Sequence, residues 1–405
     1  MSTRPPRSFL LALALAAALA GCAPDGGPTV AAAAPDASRA APADRETAAR
    51  RWIALTRSVV GRREPGPLGT ARTFALVGVA QYDAVIAAGG AGARGTRPSE
   101  AGAAAGAAAA VLGALYPAER AAVAAQLAAD AAYFPALPRE RDADFAAGVA
   151  LGERVAAAVL ARAATDGSQA VWTGTVPAGP GLWVSAPPPA QPLAPLWGRV
   201  RPWSLASGDQ FRPAPPPAFG SPEFLAALAE VRRFTDGRTP DQFRVAQFWQ
   251  GGSGPGGPMG HFGAVAAGLA DAHHLGERAS TRMFAVLYMA MMDASIGCWD
   301  AKYAYWYVRP HQADPLVTTP VGRPNFPSYP SAHSCLSAAA AGVLGDAFPS
   351  ARRDLLAQVE EAGVARLYAG LHFRFDVDAG RALGFAVARA TLERAPRGHE
   401  PIPLD

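Results

Sequence analysis

Residues 327–333, Pro-Ser-Tyr-Pro-Ser-Ala-His, decide how the C-terminal part of this 405-residue chain is interpreted. The proline and serine that precede an apolar run are typical of a helix N-terminus. Such a terminus presents free N–H groups and a positive dipole end, which favour an oxyanion. Ser331 can add a hydroxyl donor, and His333 can pass a proton to or from a bound group. Alternatively, Ser331 is an ordinary cap and His333 a surface residue.

A second segment, Lys302-Tyr-Ala-Tyr-Trp-Tyr-Val-Arg309-Pro310, contains the only lysine of the chain. Both cations stand at the end of an expected long helix, 278–308, and a spacing of seven residues, almost two full turns, then places them on one face. Two neighbouring cations repel each other unless an anion lies between them. The alternative is a pair of surface charges on long aliphatic stems.

A third segment, Arg366-Leu-Tyr-Ala-Gly-Leu-His372-Phe-Arg-Phe-Asp376, adds a cation, a histidine and a carboxylate. A straight helix would point Arg366 and His372 apart, but Gly370 offers a break between them. Asp376 follows His372 by four residues, the spacing at which a carboxylate can hold one ring nitrogen. The alternative is a core histidine with a surface ion pair.

Together, the three segments resemble the signature shared by type 2 phosphatidic acid phosphatases (PAP2), bacterial acid phosphatases and vanadium-dependent haloperoxidases. A weaker resemblance to the chloroperoxidase-like bacterial branch lies further back in the chain, in Ala71-Arg72 through Tyr82-Asp83-Ala84 and in Asp293 through Lys302. The resemblance implies that Lys302, Arg309, Arg366, Ser331 and the backbone N–H of Ala332 bind the oxygens of phosphate or vanadate. It implies that His333 is the general acid/base, that Asp376 orients His372, and that His372 is the phosphate nucleophile or the ligand of vanadium. Ala332 stands where the family usually has glycine, which keeps the N–H but adds a methyl group.

The rest of the chain predicts an all-α fold. Apolar residues make up 50% of the sequence, with much alanine, and no alternating strand pattern of useful length occurs. The resemblance implies a helical bundle of the haloperoxidase/PAP2 type, here with an additional N-terminal helical region. The net charge is +4 and the arginines are scattered, so nucleic acid binding is disfavoured.

The N-terminus has the pattern of an export signal. Arg4 and Arg7 precede a short apolar run, and Leu19-Ala20-Gly21-Cys22 follows it. This resembles the lipobox of bacterial lipoproteins, which implies lipidation at Cys22; the alternative is an ordinary secretory signal with an incidental cysteine. The expected location is the bacterial cell envelope, at the periplasmic face or outer membrane, with a lipid anchor as the only membrane contact.

The predicted organisation has four parts. They are a lipoprotein signal peptide (1–22), a flexible tether (23–44), an N-terminal helical region with a Pro/Trp-rich loop (45–220) and a catalytic helical domain (221–405). The loop 168–220 is interpreted as a packing strap, and the glycine-rich stretch 251–260 as a plain turn. Cys298 and Cys335 are either a disulfide or two buried thiols.

Three functions remain open at this stage. The first is a vanadium-dependent haloperoxidase-like enzyme that uses peroxide and a halide with vanadate as cofactor. The second is an exported acid phosphatase that acts on a phosphate ester through a phosphohistidine on His372 and needs no cofactor. The third is a non-catalytic surface lipoprotein. The sequence does not indicate the organic substrate, the halide or the oligomeric state.

Overall fold

The computed structural model describes residues 46–90, 97–185, 191–252 and 257–404. The predicted all-α class is confirmed, because strand in these residues is limited to one short parallel pair, β1 (Arg97–Pro98) and β2 (Ala143–Asp144). The helices are α1 (Ala48–Arg63), α2 (Gly66–Gly90), α3 (Glu100–Leu115), α4 (Arg120–Tyr133), α5 (Phe145–Ala164), α6 (Pro222–Asp236), α7 (Pro240–Gln247), α8 (Pro258–Ala272), α9 (Glu277–Tyr305), α10 (Pro310–Ala313), α11 (Ala332–Ala347), α12 (Arg352–Tyr368) and α13 (Arg374–Arg394).

Helices α2 and α9 lie side by side at the centre of the core. The rings of Phe74 and Tyr288 stack between them at a centroid distance of 4.6 Å. Gly78 lets the two backbones approach, because a Cβ at this position would lie 3.2 Å from the Cα of Ala285. Both helices are buried over most of their length, which explains why neither shows a clear apolar stripe. This packing fixes the C-terminal end of α9, where Lys302 lies.

Helix α2 is also the one helix among the described residues that is long and apolar enough to cross a membrane by length and composition. Of its most apolar window, 78% is buried inside the protein. That degree of burial is typical of the core helix of a folded domain.

One hydrophobic core extends to both sides of residue 220. It includes Trp52 and Phe74 from the N-terminal helices, Phe284 from α9, and Leu344 and Leu383 from the C-terminal helices. The predicted N-terminal region and the predicted catalytic domain thus contribute to the same core. The boundary at residue 220 stays a prediction about how the chain is organised.

The described parts of the Pro/Trp-rich loop, residues 168–185 and 191–220, pack along α9, as a strap would. The indole N–H of Trp197 donates to Ser295 Oγ at 2.9 Å. The carboxylate of Asp293 accepts the backbone N–H groups of Trp203 and Ser204 at 2.8 and 2.6 Å. These contacts hold the strap in place, and its residue Leu193 reaches the site described below.

The prediction that α9 continues to residue 308 is wrong. The helix ends at Tyr305, and Trp306 adopts a left-handed conformation with φ of 49°. Arg309 is extended, with φ −91° and ψ 155°, because a residue that precedes a proline avoids helical angles. The strap pairs with this segment, since the Val308 N–H donates to Gly181 O at 3.0 Å. Lys302 and Arg309 therefore do not share one helical face.

Of the remaining sequence-based predictions, the structure answers the one about the two cysteines but does not cover those about the N-terminal segments. Cys298 and Cys335 are buried free thiols, so the disulfide alternative is not formed in this structure. The signal peptide, the tether and the lipidation site at Cys22 lie outside the described residues.

Candidate active site

The three predicted segments meet beside the C-terminal end of α9. Lys302 lies in the last turn of α9, Ser331 is the N-cap of α11, and Arg366 lies in the last turn of α12. His372 lies in the connection from α12 to α13, and Asp376 lies in the first turn of α13. Helix termini from four elements thus supply the chemical groups.

The break predicted at Gly370 is present and turns the chain after α12. Gly370 has φ of +68°, and a Cβ here would lie 2.6 Å from the carbonyl oxygen of Thr318. Only glycine adopts this conformation without strain at so close an approach. The turn brings His372 and Arg366 to the wall of one cavity.

Lys302 and Arg309 converge on the loop that precedes α11. The Lys302 ammonium donates to the carbonyl oxygens of Pro327 at 3.0 Å, Ser328 at 2.7 Å and Pro330. The Arg309 Nη2 donates to the same Pro327 oxygen at 3.3 Å. Burial lowers the pKa of Lys302 to about 8 and that of Arg309 to about 10. The two cations therefore meet at a shared hydrogen-bond acceptor, the carbonyl oxygen of Pro327, and not on a shared helical face.

Arg366 is the third buried cation, and its partners come from a segment that the sequence did not single out. Its Nη1 donates to Gln250 Oε1 at 3.0 Å and its Nη2 donates to the carbonyl of Ala246 at 2.9 Å. Its Nε is buried and has no partner among the described residues. Burial, with repulsion from Arg309, lowers the pKa of Arg366 to about 9. An anion would relieve this repulsion.

The N-terminus of α11 contributes Ser331, Ala332 and His333. Ser331 Oγ accepts the Ser334 N–H, so this residue is the predicted cap. His333 Nε2 lies 2.8 Å from the carbonyl oxygen of Trp249, which can only accept, so Nε2 carries the proton. Burial, with Arg366 adding to it, holds the pKa of His333 well below its ordinary value. The ring is therefore neutral at pH 7, with Nδ1 as its acceptor nitrogen.

His372 is held by Asp376, as the spacing of four residues predicts. His372 Nδ1 donates to Asp376 Oδ2 at 2.9 Å, and Nε2 lies 3.5 Å from Nη1 of Arg309. Burial, followed by the charge of Arg309, holds the pKa of His372 well below its ordinary value. The ring is therefore neutral, with its proton on Nδ1 and the lone pair of Nε2 available to an electrophilic centre.

Asp376 receives a further partner that sequence reasoning missed. The Ser328 hydroxyl donates to Asp376 Oδ2 at 2.5 Å and lies 3.4 Å from His372 Nδ1. The Phe373 N–H donates to the same oxygen at 3.1 Å. Burial raises the pKa of Asp376 to about 6, and the Ser328 hydrogen bond offsets part of that rise. The position of Ser328, two residues before Pro330, does not indicate this role in the sequence.

A cavity of about 720 Å³ opens above these groups. Arg366, His333, His372 and Ala332 form part of its lining, which we call the floor. Lys302, Arg309 and Ser331 are fully buried behind that floor. Every predicted site residue within the described part of the chain therefore lies on or directly behind one floor.

The segment at the start of the glycine-rich stretch 251–260, which we interpreted as a plain turn, contributes to the cavity. Residues 248–252 form a π-helical turn, and Gln250, Gly251 and Gly257 line the cavity. The turn carries the carbonyl of Trp249 to His333 and the side chain of Gln250 to Arg366. Residues 253–256 lie outside the described part of the chain. The sequence could not reveal these contacts because they join residues about 85 to 115 positions apart.

The donor set suits an oxyanion. Three buried cations, an unpartnered guanidinium N–H and a helix N-terminus all attract negative charge, and alanine at 332 leaves the backbone N–H in place. In the described residues, no group of three or more His, Cys, Asp or Glu side chains could hold a metal cation. Vanadate, like phosphate, is an oxyanion, so its oxygens can accept hydrogen bonds from the same donors.

The chain resembles known proteins in sequence and in fold. The family model of the PAP2 superfamily matches residues 189–398. A non-specific acid phosphatase from Salmonella typhi is 42% identical over 69 residues, which are 17% of this chain and 27% of the phosphatase. The chain thus aligns with about a quarter of that relative's length.

Among solved structures, a bacterial vanadium-dependent iodoperoxidase superposes with a TM-score of 0.72 at 24% identity, over 85% of this chain and 96% of that chain. The holo-type structure of a bacterial vanadium-dependent chloroperoxidase superposes with a TM-score of 0.65 at 16% identity, over 81% and 92%. These likenesses show that the fold is that of the helical vanadium haloperoxidases.

Proposed function

The chain belongs to the PAP2 superfamily, and we propose on that basis that it is a vanadium-dependent haloperoxidase-like enzyme that uses peroxide to oxidise a halide. The observation that carries the proposal is His372: Asp376 holds its ring through Nδ1, and its Nε2 faces Nη1 of buried Arg309 at 3.5 Å. The fold likeness over 96% of an iodoperoxidase chain supports it.

Each residue has a role in this proposal. Lys302, Arg309 and Arg366 neutralise the oxygens of vanadate, and the N-terminus of α11 with Ser331 and Ala332 adds hydrogen bonds. His372 Nε2 is the ligand, and Asp376 fixes its tautomer. Bound vanadate would supply a Lewis-acidic centre that activates peroxide.

His333 handles the proton in this scheme. Its neutral ring carries a proton on Nε2 and accepts on Nδ1, so it can take a proton from an incoming peroxide and return it later. The low pKa of His333 in the absence of an anion favours the acceptor form. A bound oxyanion would raise that pKa, because its negative charge offsets the nearby cations.

An acid phosphatase is the second candidate, favoured by the 42% identity to a non-specific acid phosphatase over a short segment. In this reaction His372 Nε2 would attack phosphorus in line with the leaving oxygen, and His333, protonated once the bound oxyanion has raised its pKa, would protonate that oxygen. Water would then hydrolyse the phosphohistidine and release phosphate, with His333 accepting the proton of that water. The floor suits both reactions because five-coordinate vanadate resembles the transition state of phosphoryl transfer.

One set of assays on the purified full chain separates the candidates. Iodide oxidation by hydrogen peroxide that requires added vanadate supports the haloperoxidase. Hydrolysis of a phosphate ester that vanadate inhibits supports the phosphatase. Neither activity, with no measurable binding of vanadate or phosphate, would contradict both.

We further propose that the protein is exported and anchored through Cys22. The export pattern and the cysteine after Leu19-Ala20-Gly21 support this proposal. Expression in a bacterium fed labelled palmitate should label the wild type but not Cys22→Ser. Equal labelling of both, or none of either, would contradict the anchor.

A further inference from the structure

Above the floor, the cavity has walls of aromatic and aliphatic side chains. The rings of Trp299 and Phe326 lie 4.9 Å apart, with their planes at 46°. Leu336 and Leu371 continue the wall, and Leu193 of the strap lies toward solvent, 38% exposed. An arrangement of tilted rings and leucines offers offset and edge contacts to another aromatic ring.

Two polar side chains of the walls, those of Ser295 and Asn325, are already committed to partners within the protein. Ser295 Oγ donates to the carbonyl of Met292 at 2.6 Å and accepts the indole N–H of Trp197 at 2.9 Å. The side-chain amide of Asn325 donates to the carbonyl of Gln191 at 2.8 Å. A ligand rich in hydroxyl groups would bring them into these walls without partners, which is unfavourable.

Among the residues that the structure describes, charged side chains line the cavity only at its two ends. Arg366 lies on the floor, and Glu64 and Arg323 are exposed at the mouth. A charged organic group placed between the floor and the mouth would lose its hydration without gaining an opposite charge, which is unfavourable.

We propose that this cavity receives an uncharged aromatic group next to the oxyanion. The inference rests on the proposed function, because it assumes that an oxyanion occupies the floor. A volume of about 720 Å³ exceeds that of one tetrahedral oxyanion and lies within the usual range of about 300–1,000 Å³ for sites that bind small organic molecules. The ring is either the ester group of the oxyanion or a separate organic acceptor.

Equilibrium binding tests this inference without turnover. The probes are inorganic phosphate, methylphosphonate, phenylphosphonate and 2-hydroxyethylphosphonate, each titrated calorimetrically into the full chain. We expect phenylphosphonate to bind at least tenfold more tightly than methylphosphonate, which corresponds to about 1.4 kcal/mol. The hydroxyethyl compound should bind no more tightly than the methyl compound.

A matched pair of variants locates the ring. Leu193→Asn places an amide at the cavity wall, and Leu356→Asn makes the same change on α12, away from the cavity lining. The two leucines are similarly exposed, at 38% and 41%. The preference for the phenyl group should fall at least threefold in Leu193→Asn and stay unchanged in Leu356→Asn, while both variants bind inorganic phosphate as the wild type does.

Phenol distinguishes the two sources of the ring. If phenol binds to the phosphate-saturated protein and Leu193→Asn weakens it, the ring belongs to a separate acceptor. If phenylphosphonate shows the preference and phenol does not bind, the ring belongs to the ester. Both results support the inference.

Two results would overturn this inference, and each would exclude a different part of the proposed site. Equal affinities for phenylphosphonate and methylphosphonate, with phosphate binding intact and no binding of phenol, would exclude the aromatic subsite alone. No binding of phosphate, vanadate or any phosphonate would exclude the oxyanion floor, and with it both the proposed function and this inference.

Discussion

Asp376→Asn should weaken oxyanion binding without weakening the fold. Asp376 is fully buried, and its Oδ2 accepts from His372, Ser328 and Phe373, whereas Oδ1 has no partner among the described residues. The asparagine oxygen can take the place of Oδ2, with the amide at the position of Oδ1. The shape and the three accepted hydrogen bonds are then kept, and the charge is lost. The buried amide N–H groups find no acceptor among the described residues, which offsets part of the gain in stability.

The magnitudes follow from the shifted pKa of Asp376. Burial raises that pKa from 3.8 to about 6, so the fold favours the neutral carboxyl by roughly 2 pH units, or about 3 kcal/mol. At pH 8 the free energy of unfolding of the variant should therefore equal that of the wild type or exceed it by up to about 3 kcal/mol. Oxyanion affinity should fall about 10- to 100-fold, because neutral asparagine makes His372 Nε2 less basic.

The pH dependence supplies the sharper test. Below pH 6 the wild-type carboxyl is itself protonated, so its advantage over asparagine in oxyanion binding is present above about pH 6 and is lost as the pH falls through that value. The assay is calorimetric titration of phosphate and of vanadate into both proteins at pH 8 and pH 5, with urea unfolding alongside.

Asp378→Asn is the matched control. This carboxylate lies two residues further along the same helix, is 50% exposed and pairs with Arg381. It should change neither affinity nor its pH dependence. Equal affinities of wild type and Asp376→Asn at pH 8, or a difference that persists at pH 5, would refute the assigned role of Asp376.

Further predictions concern the cations, the proton carrier, the turn and the strap. Lys302→Ala should lower phosphate and vanadate affinity by at least about tenfold, since it removes a buried cation; equal affinity in calorimetry would remove Lys302 from the site. His333→Ala should leave vanadate affinity within a few-fold of wild type but lower kcat by about 10²- to 10⁴-fold, as measured by iodide oxidation or ester hydrolysis; unchanged kcat would contradict the acid/base role. Gly370→Ala should lower the free energy of unfolding by about 1–3 kcal/mol, because its φ is +68° and its Cβ would meet the Thr318 carbonyl; urea unfolding with no loss would contradict the strain. Burial raises the pKa of Asp293 to about 7, so the stability it confers is present below about pH 4 and is lost as the pH rises through 7. Asp293→Asn should therefore flatten the fall in unfolding free energy between pH 5 and 8 by roughly 2–3 kcal/mol, and parallel curves would refute this.

Local chemistry made several elements predictable. Ser331 after Pro330 indicated the start of α11, Gly370 indicated the break after α12, and the spacing of His372 and Asp376 indicated their hydrogen bond. Each depends on residues within four positions of one another or on one special backbone conformation. Such local patterns can be interpreted from the sequence without knowledge of the tertiary contacts.

The end of α9 shows where local reasoning failed. Residues 278–308 contain no proline, so the sequence favoured a continuous helix. Pro310 and the pairing of Val308 with Gly181 instead draw this segment into an extended path. Lys302 and Arg309 meet because both donate to Pro327 O, a contact that no helical spacing encodes.

The sequence by itself determined the helical class, the identity of the charged groups and the caps and turns that hold them, because these depend on residue type and short spacing. Only the tertiary structure decided that Trp249, Gln250 and Ser328 reach the site, and that an apolar cavity lies above it. The physical reason is that burial and hydrogen bonding between distant segments depend on how the helices pack, and packing is a property of the whole chain.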